Sequence, residues 1–303
     1  MNPRRRWRLL LATGAFATWA PVSFVGLPFA GLMVAARPRA RAQWWLTALV
    51  GVPSLAVLFS PEHDILTALF RTYVILVSGA FIALTLAAPA GFLRQALRAS
   101  GLGLVASLVL ARVILGRHAG AMLEWEATRQ ASDTLRLAVG VRPELYVVYE
   151  PVVRFIGQTV PAMLVLQAFS GLGLAWQWHQ ELAERPLGAP LAPFREFRFG
   201  DAWIWGIVTA ITVWITPVLA MLKTAALNLL VVLGAFYLLR GAAVVVAFAA
   251  VLGVSTTALV LGLVVSAVLA VPMAFILPGL TTLGVTDTWL QFRRRLVNRP
   301  KAS

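Results

Sequence analysis

The sequence predicts an all-α, polytopic membrane helix bundle of about eight membrane segments that opens with a short helical hairpin. Three observations carry this expectation. Of 303 residues, 60% are hydrophobic and only 13% charged, and the mean hydropathy is +0.82. An average soluble domain is about 45–50% apolar and about 25% charged, and a soluble chain this apolar would expose large greasy patches. The charged residues are also spaced so that long apolar runs lie between them. Finally, the formal charge is +14 and its excess is concentrated in a few clusters, the pattern of basic cytoplasmic loops. A soluble enzyme and a soluble nucleic-acid binder are thereby disfavoured. Cysteine is absent and histidine occurs only at His63, His118 and His179, so no disulfide framework, thiolate metal site or local His cluster is expected.

A spanning helix needs about 20 apolar residues. Twenty uncharged residues lie between Arg41 and Glu62, 22 between Arg71 and Arg94, 26 between Arg154 and Glu181, and 21 between Asp201 and Lys223. Sixteen separate Lys223 from Arg240, and 46 separate Arg240 from Asp287, enough for more than one segment. These runs place helices near 43–60, 65–88, 98–116, 155–178, 202–221, 224–252 and 255–278. Residues 9–36 form a further apolar segment, but Pro21, Gly26 and Pro28 interrupt it. Proline removes a helix hydrogen bond and kinks the chain, so two short helices in a hairpin are expected there. No small-residue cleavage site follows a short apolar core, so a cleaved signal is not expected. Arg240-Gly241 reads as a break within 224–252, and Pro278-Gly279 as the end of the last long helix.

Residues 117–154 form the one substantial polar insert, with five arginines and five acids. An amphipathic interfacial helix is expected over 120–139. The acid pairs Glu62/Asp64 and Glu124/Glu126 read as solvated loop charge. One membrane domain is expected to cover the whole chain.

Basic clusters set the orientation. Arg4–Arg6 with Arg8, Arg37 with Arg39 and Arg41, Arg94 with Arg98, and Arg293–Arg295 with Arg299 and Lys301 together carry the entire +14 excess. Lys and Arg favour the cytoplasmic side. Both termini and the loops near 37–41 and 90–98 are therefore expected inside a bacterial inner membrane, with the acidic loop at 61–64 outside. The same clusters make the bilayer and its anionic headgroups the expected partners, at about 1 kcal/mol per basic residue near the surface. Nucleic acid is not expected. In the basic tail, residues 285–303, Thr288 and Gln291 fit a capping box, with Asp287 at a helix start. Trp289, Phe292 and Leu296 then share one face of a short interfacial anchor.

Ionisable groups within membrane segments are costly and mark functional sites by default. Arg71 and Arg112 lie near helix ends, where snorkelling accounts for them. Arg240 lies deeper and is a ligand candidate. Asn228 interrupts the apolar stretch 225–236; it reads as an interhelical hydrogen bond worth roughly 0.6–2 kcal/mol or as a ligand contact. Gln167 reads as a packing polar residue. Glu150 and Arg154, four apart in the favourable order for a helical ion pair, read as a surface pair or as part of a ligand mouth. Asp287 completes the candidate set. No phosphate-binding loop, H-E-x-x-H or G-x-S-x-G occurs, so neither an ATPase, a zincin nor a serine hydrolase is indicated. No cofactor and no catalytic set are expected.

Several of these residues carry a resemblance. Phe194-Arg195-Glu196-Phe197-Arg198, Asn228-Leu229-Leu230, Tyr237-Leu238-Leu239-Arg240-Gly241 and Gly284-x-x-Asp287-x-Trp289-x-x-Phe292-Arg293 resemble, in order and spacing, the YybS-like family of bacterial membrane proteins of unknown function. The resemblance covers most of the chain and is most specific over 194–295. That family's expected residue at position 240 is Gln, from which Arg240 departs. The family is distantly similar to the substrate-binding (S) components of energy-coupling-factor transporters, which open with a helix, a loop and a short second helix. Their small Ala-x-x-x-Ala coupling face is replaced here by Ala12/Phe16 and Ala15/Trp19. The resemblance implies a small-molecule transport or substrate-binding component. A non-catalytic membrane scaffold or assembly factor is the alternative, with a membrane-protein partner; a membrane enzyme ranks last.

Overall fold

The computed structural model describes residues 3–61, 64–88, 91–139, 145–269 and 271–293, and they are helical with connecting turns. Among the described residues, four helical stretches are long and apolar enough to cross a membrane: Ile65–Ala87, Phe92–Arg136, Val160–Leu182 and Pro217–Val251. The chain divides into two compact units, Met1–Leu191 and Ala192–Ser303.

The first unit is built on α2 (Ser23–Ala35), which follows α1 (Pro3–Ala17) across a break at residues 18–22. The expected break in 9–36 is thus present, just before and at Pro21, while Pro28 sits inside α2. α2 is apolar all round, and Phe24, Val25, Phe29, Leu32 and Met33 are completely enclosed. A helix of that composition belongs at the centre of a bundle. Around it lie α3 (Arg41–Leu58), α4 (Ile65–Ala87) and α8 (Val160–Leu182). α4 buries Leu69, Tyr73, Val77 and Phe81, which recur every four residues along one face. Gly171 of α8 meets α2 so closely that a Cβ there would lie 2.7 Å from the Phe24 carbonyl oxygen. Phe24 in turn packs edge-on against Phe70 at 4.9 Å and Tyr73 at 6.0 Å. Gln167 ties α8 to the end of α1 by donating to the Trp19 carbonyl at 2.9 Å.

α5 (Phe92–Leu115) packs on α4, and α6 (Ala119–Val139) packs on α7 (Leu145–Gln158). The helix expected in the polar insert is present. The acids there are placed differently from expectation. Glu126 is buried on α6, where it pairs with Arg129 and accepts from Gln130 at 3.2 Å. Asp64 caps α4, accepting from the Thr67 backbone N–H at 3.3 Å and from Gln130 at 2.6 Å. The two carboxylates thus share Gln130 and tie α4 to α6, where the sequence suggested solvated loop charge. Glu62 and His63 lie outside the described residues. Thr159 separates α7 from α8, so the segment expected from 155 begins later and runs to Leu182.

The second unit contains α9 (Ile204–Ile215), a 3-10 stretch at Pro217–Leu222, α10 (Lys223–Val251), α11 (Thr256–Leu269) and α12 (Val271–Leu290). α10 lies between α9 and α12. Three expectations fail here. The helix does not break at Arg240-Gly241; α10 is continuous for 29 residues. Gly241 instead serves close packing, because a Cβ there would fall on the Leu280 carbonyl oxygen, and one on Gly284 would fall on that of Tyr237. Small residues that let backbones touch are the usual solution in membrane helix pairs. Nor does the chain stop at Pro278-Gly279, since α12 passes through Pro278 to Leu290. Asp287 and Thr288 are therefore interior to α12 rather than at a new helix start, and the chain leaves the helix at Gln291, whose φ is +46°. That turn removes Trp289 and Phe292 from a common helical face. Leu296 and the basic residues from Arg294 onward, like the side chains of Arg4–Arg8, lie outside the described residues.

Candidate functional site

Five charged residues of the second unit, Arg198, Asp201, Arg240, Asp287 and Arg293, meet at one place. α10 carries Arg240, one residue before the glycine that brings α12 into backbone contact. α12 carries Asp287, three residues after the facing Gly284. The close approach of the two helices therefore sets these side chains opposite each other. Arg240 Nε donates to Asp287 Oδ2 at 3.1 Å, and both residues are buried, 5% and 2% exposed. Removing either partner would leave a charge in an apolar interior, and such a charge is costly.

Two short segments complete the network. The stretch before α9 folds across α10, held by Phe199. That ring is fully enclosed, stacks on Phe236 at 4.9 Å and meets Tyr237 edge-on at 5.4 Å. Its carbonyl accepts from Arg240 Nη1 at 2.9 Å, and the same nitrogen donates to Asp201 Oδ1 at 2.6 Å. After α12, the turn at Gln291 brings Arg293 back. Arg293 Nη2 donates to Asp287 Oδ2 at 2.9 Å, and its Nη1 donates to the Phe197 and Arg195 carbonyls at 2.7 and 3.3 Å. Asp287 Oδ2 thus lies between two guanidinium groups. Asp287 Oδ1 is buried with no hydrogen-bond partner among the described residues.

This network lines an open cleft of about 230 Å³, bounded by Arg198, Phe199, Gly200, Asp201, Arg240, Asp287, Gln291 and Arg293. Every lining residue belongs to the second unit. Both carboxylates are engaged by guanidinium, and the lining includes no His, Lys or hydroxyl side chain. Such a set is suited to holding a charged group. Among the described residues no group of three His, Asp or Glu side chains is placed to hold a metal ion.

The five sequence candidates separate. Arg240 and Asp287 meet at the cleft. Asn228 lies three turns back on α10, half-buried, and donates to the Thr224 carbonyl of its own helix at 2.8 Å; the cleft is lined without it. Glu150 and Arg154 lie in the first unit, on α7, where they form an exposed ion pair of 3.0 Å. Arg71 and Arg112 end on main-chain oxygens, those of Ser60 at 2.6 Å and Gly116 at 2.8 Å. Asp201, Arg198 and Arg293 are the charged cleft residues that sequence reasoning did not select. Their signal is spatial: Phe194–Arg198, Tyr237–Gly241 and Gly284–Arg293, three separate segments of one sequence pattern, converge on one network.

Comparison with known proteins is consistent with this architecture. No curated protein and no solved structure matches the chain. A family model described as "Predicted membrane protein (DUF2232)" matches residues 9–288. With the match covering nearly the whole helical chain, including both helices that carry Arg240 and Asp287, the protein belongs to this family of membrane proteins of unknown function.

Proposed function

We propose that this membrane protein is a small-molecule transport or substrate-binding component, and that its ligand occupies the cleft of the second unit. The observation that carries this reading is the buried Arg240–Asp287–Arg293 network opening onto a cleft between apolar helices. Ionisable groups placed inside membrane proteins cost free energy and are characteristic of substrate and ion pathways. The resemblance to the YybS-like family, and its distant likeness to S components, supports the same reading. The chain would reside in a bacterial inner membrane, with both termini cytoplasmic and anionic headgroups around its basic loops. It would bind without catalysing a reaction and without a cofactor.

Gentle extraction of the full chain followed by native mass spectrometry tests this. The expected result is one small molecule retained per chain and lost in Arg198→Gln, a change at an exposed cleft residue. Protein that retains no small molecule but captures a membrane-protein partner would overturn the reading in favour of a scaffold.

A further inference from the structure

The geometry points to an oxyanion, a phosphoryl or carboxylate group, as the ligand of this cleft, with Asp201 as a built-in competitor for it. The inference rests on the ligand-site reading above and adds the chemical class. The cleft is lined by three arginines and two aspartates, so its own charges leave one positive charge unbalanced. That imbalance has a location. Arg198 is exposed and has no carboxylate partner among the described residues, whereas Arg240 and Arg293 share Asp287. Arg240 has a second feature. Its Nε and Nη1 are bonded, but its Nη2 has no hydrogen bond among the described residues, although the side chain is 5% exposed and lines the cleft. An unmet guanidinium edge beside an unpaired arginine fits the planar or tetrahedral oxygens of an oxyanion.

Asp201 makes the arrangement adjustable. Its carboxylate contacts Arg240 Nη1 at 2.6 Å, yet its side chain is 61% exposed, against 3% for Asp287. It sits on a single 3-10 turn, Asp201–Trp203. Asp287 is therefore the fixed counter-ion, and Asp201 is an exposed carboxylate in the position an incoming one would take. Its pair with Arg240 is open to solvent on the aspartate side, so it is weaker than the enclosed Arg240–Asp287 pair. A cleft of about 230 Å³ is below the roughly 300–1,000 Å³ of sites for drug-sized molecules, so it suits a small anion or one anionic headgroup.

The test uses the full chain in phosphatidylcholine nanodiscs, titrated with radiolabelled inorganic phosphate. Saturable binding is expected, about tenfold tighter in Asp201→Asn and about tenfold weaker in Arg198→Gln. Both substituted side chains are exposed, so both variants keep the fold. An Asp201→Asn variant with unchanged or weaker affinity overturns the competitor, and absence of saturable binding in all three proteins overturns the oxyanion. If native mass spectrometry instead shows a neutral or cationic molecule released by Arg198→Gln, the oxyanion class fails while the ligand-site reading stands. A phosphatidylglycerol arm identifies the source: displacement of phosphate by this lipid assigns the site to a headgroup, and indifference to it assigns a soluble anion.

Discussion

At the scale of single residues, burial decides what a charge is worth. Arg240 contacts Asp287 and Arg154 contacts Glu150 at about the same distance, 3.1 and 3.0 Å. Arg240 and Asp287 are enclosed, whereas the Arg154 and Glu150 side chains are 69% and 55% exposed. Replacing Arg240 by Met leaves Asp287 with Arg293 alone, and a loss of about 3 kcal/mol is expected, at the low end for a broken buried pair. Asp287→Asn strips both arginines of their shared carboxylate oxygen and is expected to cost more. Arg154→Ala is expected to cost under about 0.5 kcal/mol. Denaturant unfolding in a fixed detergent ranks the three variants; equal losses would contradict the burial argument. Asp64 falls between these extremes. Burial pushes its carboxyl up, but hydrogen bonds from Gln130 and the Thr67 backbone N–H outweigh this and hold it below its ordinary value. A depressed carboxyl stabilises the fold above its unfolded value and loses that contribution as pH falls through the folded one. Asp64→Ala is therefore expected to cost about 1 kcal/mol at neutral pH, as a lost N-cap, and to match wild type once the pH falls below the folded value.

At the scale of elements, α10 and α12 show what sequence reading captures and where it stops. The apolar runs locate α10, whereas the single helix expected over 255–278 is two, α11 and the first part of α12. Their ends and breaks are misplaced for one reason: Gly and Pro are read as local punctuation, while here tertiary contact decides. Gly241 looks like a break until its partner is known, and its partner, Gly284, is 43 residues away. Thr288 and Gln291 have the spacing of a helix start, but the packing of α12 on α10 carries the helix through Thr288 and on to Leu290, and Gln291 follows its end. The same limit applies to the cleft. Arg240 and Asp287 stand out singly because each interrupts an apolar stretch. Asp201 and Arg293 do not, since each lies beside other charges and is distinguished only by what it touches. The glycine pair gives a direct test. Gly241→Ala and Gly284→Ala each force the helices apart, and each is expected to cost about 1–3 kcal/mol, as overpacking does. The double variant is expected to cost clearly less than the sum, since one separation relieves both contacts. Strict additivity in a double-mutant cycle would show that the two glycines do not share one interface.

At the scale of the whole molecule, the charge of +14 is read as topology, and the helix lengths make that reading testable. Arg37 and Arg39 precede α3, whose 18 residues rise about 27 Å at 1.5 Å each, near the roughly 30 Å hydrocarbon core. α4, with 23 residues, returns the chain to Arg94 and Arg98 at the start of α5. α3 is not among the four stretches named above, so its crossing is the point to test: crossings by both α3 and α4 would put the basic clusters at 37–41 and 94–98 on one side and the turn at Pro61 on the other. The positive-inside bias would then make the shared side cytoplasmic. Because the chain has no cysteine, each position can be probed by one substitution in an otherwise native background. Pro61→Cys is expected to react with a membrane-impermeant maleimide in intact cells with its outer envelope opened. Arg39→Cys and Arg98→Cys are expected to react only once the inner membrane is permeabilised. All three positions are exposed in the fold, so protection by packing does not mimic protection by the bilayer. Equal labelling at Pro61 and Arg39 would mean that α3 lies along the membrane rather than across it. Labelling of Arg39 and Arg98 from opposite sides would mean that only one of α3 and α4 crosses, and either pattern would remove the common cytoplasmic face assigned to the basic clusters.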